Sequence, residues 1–137
     1  MLRIMAIVAA AFLATPAVAQ SAERFPLELN RVEQVGGACS VYLRFKNPDE
    51  TAIDAFKLDL VFFDKQEIIR DRLYVELGPA PPTKTAVRLF DIPDFQCAEL
   101  GSILVNDVIE CKDGSGADMK CLSRLDLSSK SDVSLFY

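Results

Sequence analysis

The amino-acid sequence predicts an all-β fold, an immunoglobulin-like antiparallel β-sandwich of about seven strands. Three observations carry that expectation. Phe56, Leu58, Leu60 and Phe62 alternate with Lys57 and Asp59, the period-two pattern of a strand with one face in a core. Other short alternating stretches recur along the chain, separated by glycine, proline, asparagine and aspartate. No stretch carries a convincing helical period, and no internal repeat is visible.

The chain of 137 residues opens with a segment outside this pattern. Met1-Leu2-Arg3 is a short basic start, Ile4 to Leu13 an apolar run, and Ala17-Val18-Ala19 a small-x-small cleavage site. Residues 1–19 therefore read as a secretory signal peptide, and 20–137 as a single β-sandwich domain that is periplasmic or secreted. The apolar run is too short for an anchor, and no later stretch reaches membrane-helix length, so no membrane insertion of the mature form is expected. The formal net charge is −5, without a basic cluster, which argues against nucleic acid as a partner. There is no histidine. That removes imidazole triads and imidazole metal sites from consideration.

Taken in order, Phe25 to Val35 reads as a first strand with an irregularity in its middle, and Gly36-Gly37 as a turn. Cys39, Val41, Leu43 and Phe45 then face inward against Tyr42, Arg44 and Lys46, until Asn47-Pro48 breaks the strand. Ala55 to Asp64 is the central strand. Ile68 to Leu77 returns antiparallel, with Phe63 opposite Ile68, Val61 opposite Arg70, Asp59 opposite Arg72, and Leu58 opposite Leu73. That register makes Asp59 and Arg72 an exposed ion pair and points Asp71 inward unless a bulge turns it out. Lys65-Gln66 is poor two-residue turn chemistry, so a longer loop is expected. Gly78-Pro79-Ala80-Pro81-Pro82 is an extended connector. Thr83 to Ile92 follows, its inward face open between Val87/Leu89 and Ala86/Phe90. Ile103 to Cys111 and Cys121 to Leu127 form a last hairpin, and Val133, Leu135 and Tyr137 add a short edge strand.

Cys39, Cys97, Cys111 and Cys121 are even in number in an exported chain and contain no C-x-x-C, which points to disulfides. Four cysteines allow three connectivities. The expected strand order favours Cys39–Cys97 with Cys111–Cys121 over the other two.

The run Leu60-Val61-Phe62-Phe63-Asp64 resembles the signature pentapeptide of the bacterial FxLYD-type domains, extracytoplasmic immunoglobulin-like modules. Asp64 matches unchanged, Leu60, Phe62 and Phe63 stand for Phe, Leu and Tyr, and Glu67 stands where such domains often carry a turn glycine. The strand ending Phe45-Lys46-Asn47 and the following Ile68-Ile69 extend the resemblance over roughly Val41 to Phe90. It implies the same fold and no activity.

Functional expectations follow from what is present and what is missing. Val61, Phe63 and Ile68 make the outer face of the central hairpin apolar near its tip, a candidate partner-binding patch unless a terminal segment covers it. Asp113, Ser115 and Asp118 could be read as calcium ligands, but the spacing is not that of an EF-hand and the closing glutamate is missing. Asp91 and Asp94 could be read as paired carboxylates for hydrolysis, though a solvated turn explains them as well. No nucleophile elbow, catalytic constellation or cofactor motif occurs. The expectation is a non-enzymatic, disulfide-stabilised module of protein–protein contact in the cell envelope. A small-ligand or calcium module and a carboxylate-dependent hydrolase are the alternatives.

Overall fold

The computed structural model describes residues 23–137. The signal peptide expected over 1–19 lies outside them. The described chain is a β-sandwich of two four-stranded sheets. One has the order β5-β2-β1-β7 and the other β4-β3-β6-β8. The strands are β1 (Phe25–Val35), β2 (Ala38–Lys46), β3 (Ala55–Asp64), β4 (Ile69–Glu76), β5 (Thr85–Ile92), β6 (Leu100–Lys112), β7 (Leu125–Ser129) and β8 (Ser134–Phe136). A single 3-10 turn, Cys97–Glu99, precedes β6, and a one-turn helix, α1 (Cys121–Arg124), precedes β7. Through β6 the strands distribute as in an immunoglobulin-like sandwich, with β1, β2 and β5 in one layer and β3, β4 and β6 in the other.

The period-two pattern places the core. Phe25, Leu27, Leu29, Cys39, Val41, Leu43 and Phe45 from one sheet meet Phe56, Leu58, Leu60, Phe62, Val75, Ile103 and Val105 from the other, all buried. Phe56 sits centrally, its ring 6.2 Å from that of Phe25 and 5.7 Å from that of Phe45. The irregularity expected in β1 is a register shift between Leu29 and Arg31. Asn47, fully buried where β2 ends, donates through Nδ2 to the carbonyls of Thr51, Ala80 and Pro81 at 2.9, 3.2 and 3.2 Å. Its Oδ1 accepts the Asp49 N–H. One side chain thus satisfies the backbone of the loop and of the proline-rich connector.

Both disulfides join the pairs favoured from sequence. Cys39–Cys97 closes 58 residues and Cys111–Cys121 closes 10. Each ties one sheet to chain leading into the other. In the chain-entropy account they contribute about 4 and about 3 kcal/mol respectively.

Two sequence expectations need correcting, the β3–β4 register and the last hairpin, and the inward face left open in β5 is settled. Val61 pairs with Arg72, Leu60 with Leu73 and Asp59 with Tyr74, so the β3–β4 register differs by two residues from the expected one. The loop after Asp64 contributes one residue of the shift, since Phe63 pairs with Ile69, and a bulge at Arg70 contributes the other. An even shift keeps every side chain on its face. Asp71, beside that bulge, is half-buried and accepts the Arg72 N–H. In β5 the inward side is Ala86 and Phe90, while Val87 and Leu89 are exposed. The last hairpin does not form. The chain crosses over after β6, and β7 pairs parallel to β1 in the opposite sheet. The tail is an edge strand as expected, but β8 also runs parallel to its neighbour, β6.

Candidate functional site

The site is built on the outward side of β4-β3-β6-β8. Residues paired across neighbouring strands share a face, so the ladders place Arg72, Val61, Leu104 and Phe136 in one row and Ile69 and Phe63 in the next. The result is an apolar stripe crossing the sheet. Of the three residues picked out from sequence, Ile68 is 59% exposed at the hairpin tip and Phe63 is half-buried. Val61 is only 8% exposed, because Phe63, Leu104 and Arg72 flank it. The C-terminal strand covers part of the stripe, with the Phe136 ring 6.3 Å from that of Phe63. Ile69, 61% exposed, extends the apolar surface that sequence alone assigned to Ile68.

Beside the stripe lies a charge cluster whose burial the sequence did not reveal. Asp59 points outward from β3 yet is only 1% exposed. Arg72 donates to both its oxygens, at 2.8 and 2.7 Å, and Asn106 donates to Oδ2 at 2.6 Å. The Arg72 guanidinium holds the Asp59 carboxyl below its ordinary range, burial works against it, and Asn106 adds to the lowering. Arg72 also lies over the Tyr74 ring at 5.6 Å. Both oxygens of the carboxylate are engaged by donors of this chain, so the cluster ties β3, β4 and β6 together on this face.

The turn at the end of β3 is organised by Asp64. Its Oδ1 accepts the N–H groups of Gln66 and Ile68 at 2.9 and 3.0 Å, and Arg70 stands 3.4 Å from Oδ2. The Ile68 N–H is the main cause holding this carboxyl low; burial opposes it. Gly101 lets β6 approach closely here, since a Cβ would sit 2.6 Å from the Asp64 carbonyl oxygen. Together these fix the direction in which Ile68 and Ile69 are presented.

Of the other sequence candidates, Asp113, Asp118 and Asp94 lie in turns and loops, and Asp91 lies in β5. Asp113 accepts from the Ser115 N–H, the Ser115 hydroxyl and the Ala117 N–H, and Asp118 accepts from the Lys120 N–H. Their acceptors face the loop's own backbone, and no cluster of three metal-ligating side chains occurs among the described residues. Asp91 takes the Ser40 hydroxyl across two strands, and Asp94 occupies a turn with φ 49°.

The arrangement defines a class: a disulfide-bonded β-sandwich with an apolar stripe across the outward face of β4-β3-β6-β8. No protein-family model and no curated protein sequence matches the chain. Among solved structures it is similar to IrmA from Escherichia coli, with a TM-score of 0.57 at 13% identity, over 77% of this chain and 92% of that one. At that identity the likeness supports the fold alone.

Proposed function

We propose that the chain is exported and acts without catalysis, docking a protein partner on the outward face of β4-β3-β6-β8. One observation carries the reading. An apolar stripe from Ile69 through Phe63 to Phe136 lies on a rigid sheet, rimmed by Arg70 and Arg72, whose charges Asp64 and Asp59 offset. Two disulfides and no free cysteine fit an oxidising compartment. No described helix is long and apolar enough to cross a membrane.

The test uses the mature, oxidised chain on its native envelope extract, with Ile69→Asp on this face and Leu89→Asp on the opposite one. Both positions are exposed, so neither variant is expected to lose its fold. A partner held by the unmodified chain and by Leu89→Asp, and lost with Ile69→Asp, supports the face. A partner lost equally with both variants, or retained by both, removes it.

A further inference from the structure

Of the four strands that end the two sheets, three are guarded against pairing by a bulge or by shortness. On β4 a bulge at Arg70 breaks the edge, and an Asp71 oxygen takes the Arg72 N–H at 2.7 Å. β7 and β8 are short, five and three residues. β5 is neither bulged nor short. Its eight residues pair with β2 in one unbroken register, from Thr85 opposite Lys46 to Ile92 opposite Cys39. At about 3.3 Å per residue they make a regular edge of about 26 Å. β5 ends its sheet, so no described strand lies on its other side.

Which backbone groups face outward follows from one bond. The Asn47 N–H donates to the Lys84 carbonyl at 2.9 Å, and in an antiparallel ladder alternate residues then turn their N–H and C=O to the neighbour. Ala86, Arg88, Phe90 and Ile92 therefore pair with β2, while Val87, Leu89 and Asp91 direct theirs away from it. The Arg88 guanidinium, 5.8 Å from the Phe45 ring, agrees with that direction by donating to the Val87 carbonyl at 3.2 Å. A carbonyl oxygen has two lone pairs, so this one still accepts a second N–H. Val87 and Leu89, 55% and 56% exposed, stand on the outward face beside these groups.

We propose that this edge joins a second copy of the chain, β5 antiparallel to β5 about a two-fold axis at Leu89. The occupant follows from self-complementarity. In an antiparallel ladder, opposed residues of a bonded pair exchange both N–H···O bonds. Leu89 meets the same N–H and C=O on the second copy, and Val87 exchanges with Asp91 on either side. Leu89 packs on Leu89, and Arg88 falls opposite Phe90, where guanidinium and ring attract. An axis at Arg88 instead sets two guanidinium groups face to face, which disfavours that register.

Sedimentation equilibrium of the mature, oxidised chain from about 1 μM to about 1 mM should show the mass rising to two copies and stopping there, because pairing uses up the edge. Amide exchange should slow with concentration at Val87, Leu89 and Asp91, while Arg88 and Phe90, bonded to β2, stay protected throughout. Leu89→Pro removes one outward N–H and nothing from the β2 ladder, and should weaken dimerisation at least about tenfold. Leu89→Asp opposes two carboxylates on the axis and should do the same, which keeps the test open where the proline variant fails to fold. Ile69→Asp, on the other sheet, should dimerise like the unmodified chain, so this result stands apart from the docking face. A monomer at every concentration, growth beyond two copies, a dimer indifferent to both Leu89 variants, or one lost with Ile69→Asp overturns the proposal. Protection of these amides that needs envelope extract and not concentration gives the edge to another chain and overturns it as well.

Discussion

The two outward faces of the sandwich are made from the same alternating strands, yet they differ in what fills the solvent side. On β5-β2-β1-β7, polar groups answer one another across the ladder. Ser40 donates to Asp91, Tyr42 donates to Glu33 at 3.1 Å, Arg31 pairs with Glu33 at 2.6 Å and lies over the Tyr42 ring. On β4-β3-β6-β8 the rows through Val61 and Phe63 are largely apolar, the row through Lys57 carries Glu76 and Glu110, and the Asp59 carboxylate is folded away beneath Arg72 and Asn106. The first face also shows apolar groups, Val87 and Leu89 on its edge strand, but its centre is polar. The second has its apolar groups in a stripe across the sheet, beside a buried and neutralised carboxylate. Burial of Asp59 on an outward face is the sharpest sign of the difference.

The largest expected effects test what holds the two faces apart. Replacing Cys39 and Cys97 together by alanine should destabilise by about 4 kcal/mol, and the Cys111/Cys121 pair by about 3 kcal/mol, read by denaturant unfolding. Equal losses would say that loop length does not set the ranking. Next come the two arginines. Arg72→Ala leaves Asp59 with Asn106 alone and should cost about 2 kcal/mol. Arg31→Ala removes an exposed pair and should cost less than about 0.5 kcal/mol. If the two losses match, the clamp on the apolar face is no different from an ordinary surface ion pair.

Acid sharpens the comparison further. Asp59, Asp64 and Asp113 have folded-state pKa values below their ordinary value of 3.8. A carboxyl depressed on folding contributes stability that is present above the unfolded pKa and lost as pH falls through the folded one. Stability should therefore stay level in this respect above about pH 5 and fall below about pH 4. Asp59→Asn should flatten the fall relative to the unmodified chain. A fall of unchanged steepness in Asp59→Asn would remove Asp59 as a cause.

Much of this was legible in the residues. The faces of β1, β2 and β3 follow from period two because a buried side tolerates no slip; the favoured disulfide pairs form, although Cys111–Cys121 joins β6 to α1 and not the two strands of the expected hairpin. The β3–β4 register did not, since it depends on how Asp64 closes the loop and on a bulge at Arg70, neither of which alternation encodes. The parallel partners of β7 and β8 were equally hidden, because a short strand's pattern names its face and not its neighbour. The candidate stripe was half visible. Val61, Phe63 and Ile68 could be read as a patch, but Ile69, Leu104 and Phe136 join it only through register. Asp59 was readable as Arg72's partner, while its burial depends on Asn106, a bulge residue on another strand.

The smallest effect concerns the turn that aims the apolar tip. Glu67 holds φ 62°, a left-handed conformation that costs an L side chain about 1 kcal/mol. Its N–H donates to the Asp64 carbonyl at 3.0 Å, so the conformation is set by the backbone bond and not by its exposed side chain. Glycine adopts this φ without strain but loses more backbone entropy on folding, which offsets part of the gain. Glu67→Gly should therefore stabilise by about 0.5 kcal/mol in denaturant unfolding. Amide shifts on the apolar face should stay unchanged, because Asp64 still holds the Gln66 and Ile68 N–H groups. Gly36→Ala, at φ 57° in the turn of the opposite sheet, makes the reverse exchange and should destabilise by a similar amount. If both substitutions shift stability in the same direction, backbone strain is not what separates the two turns.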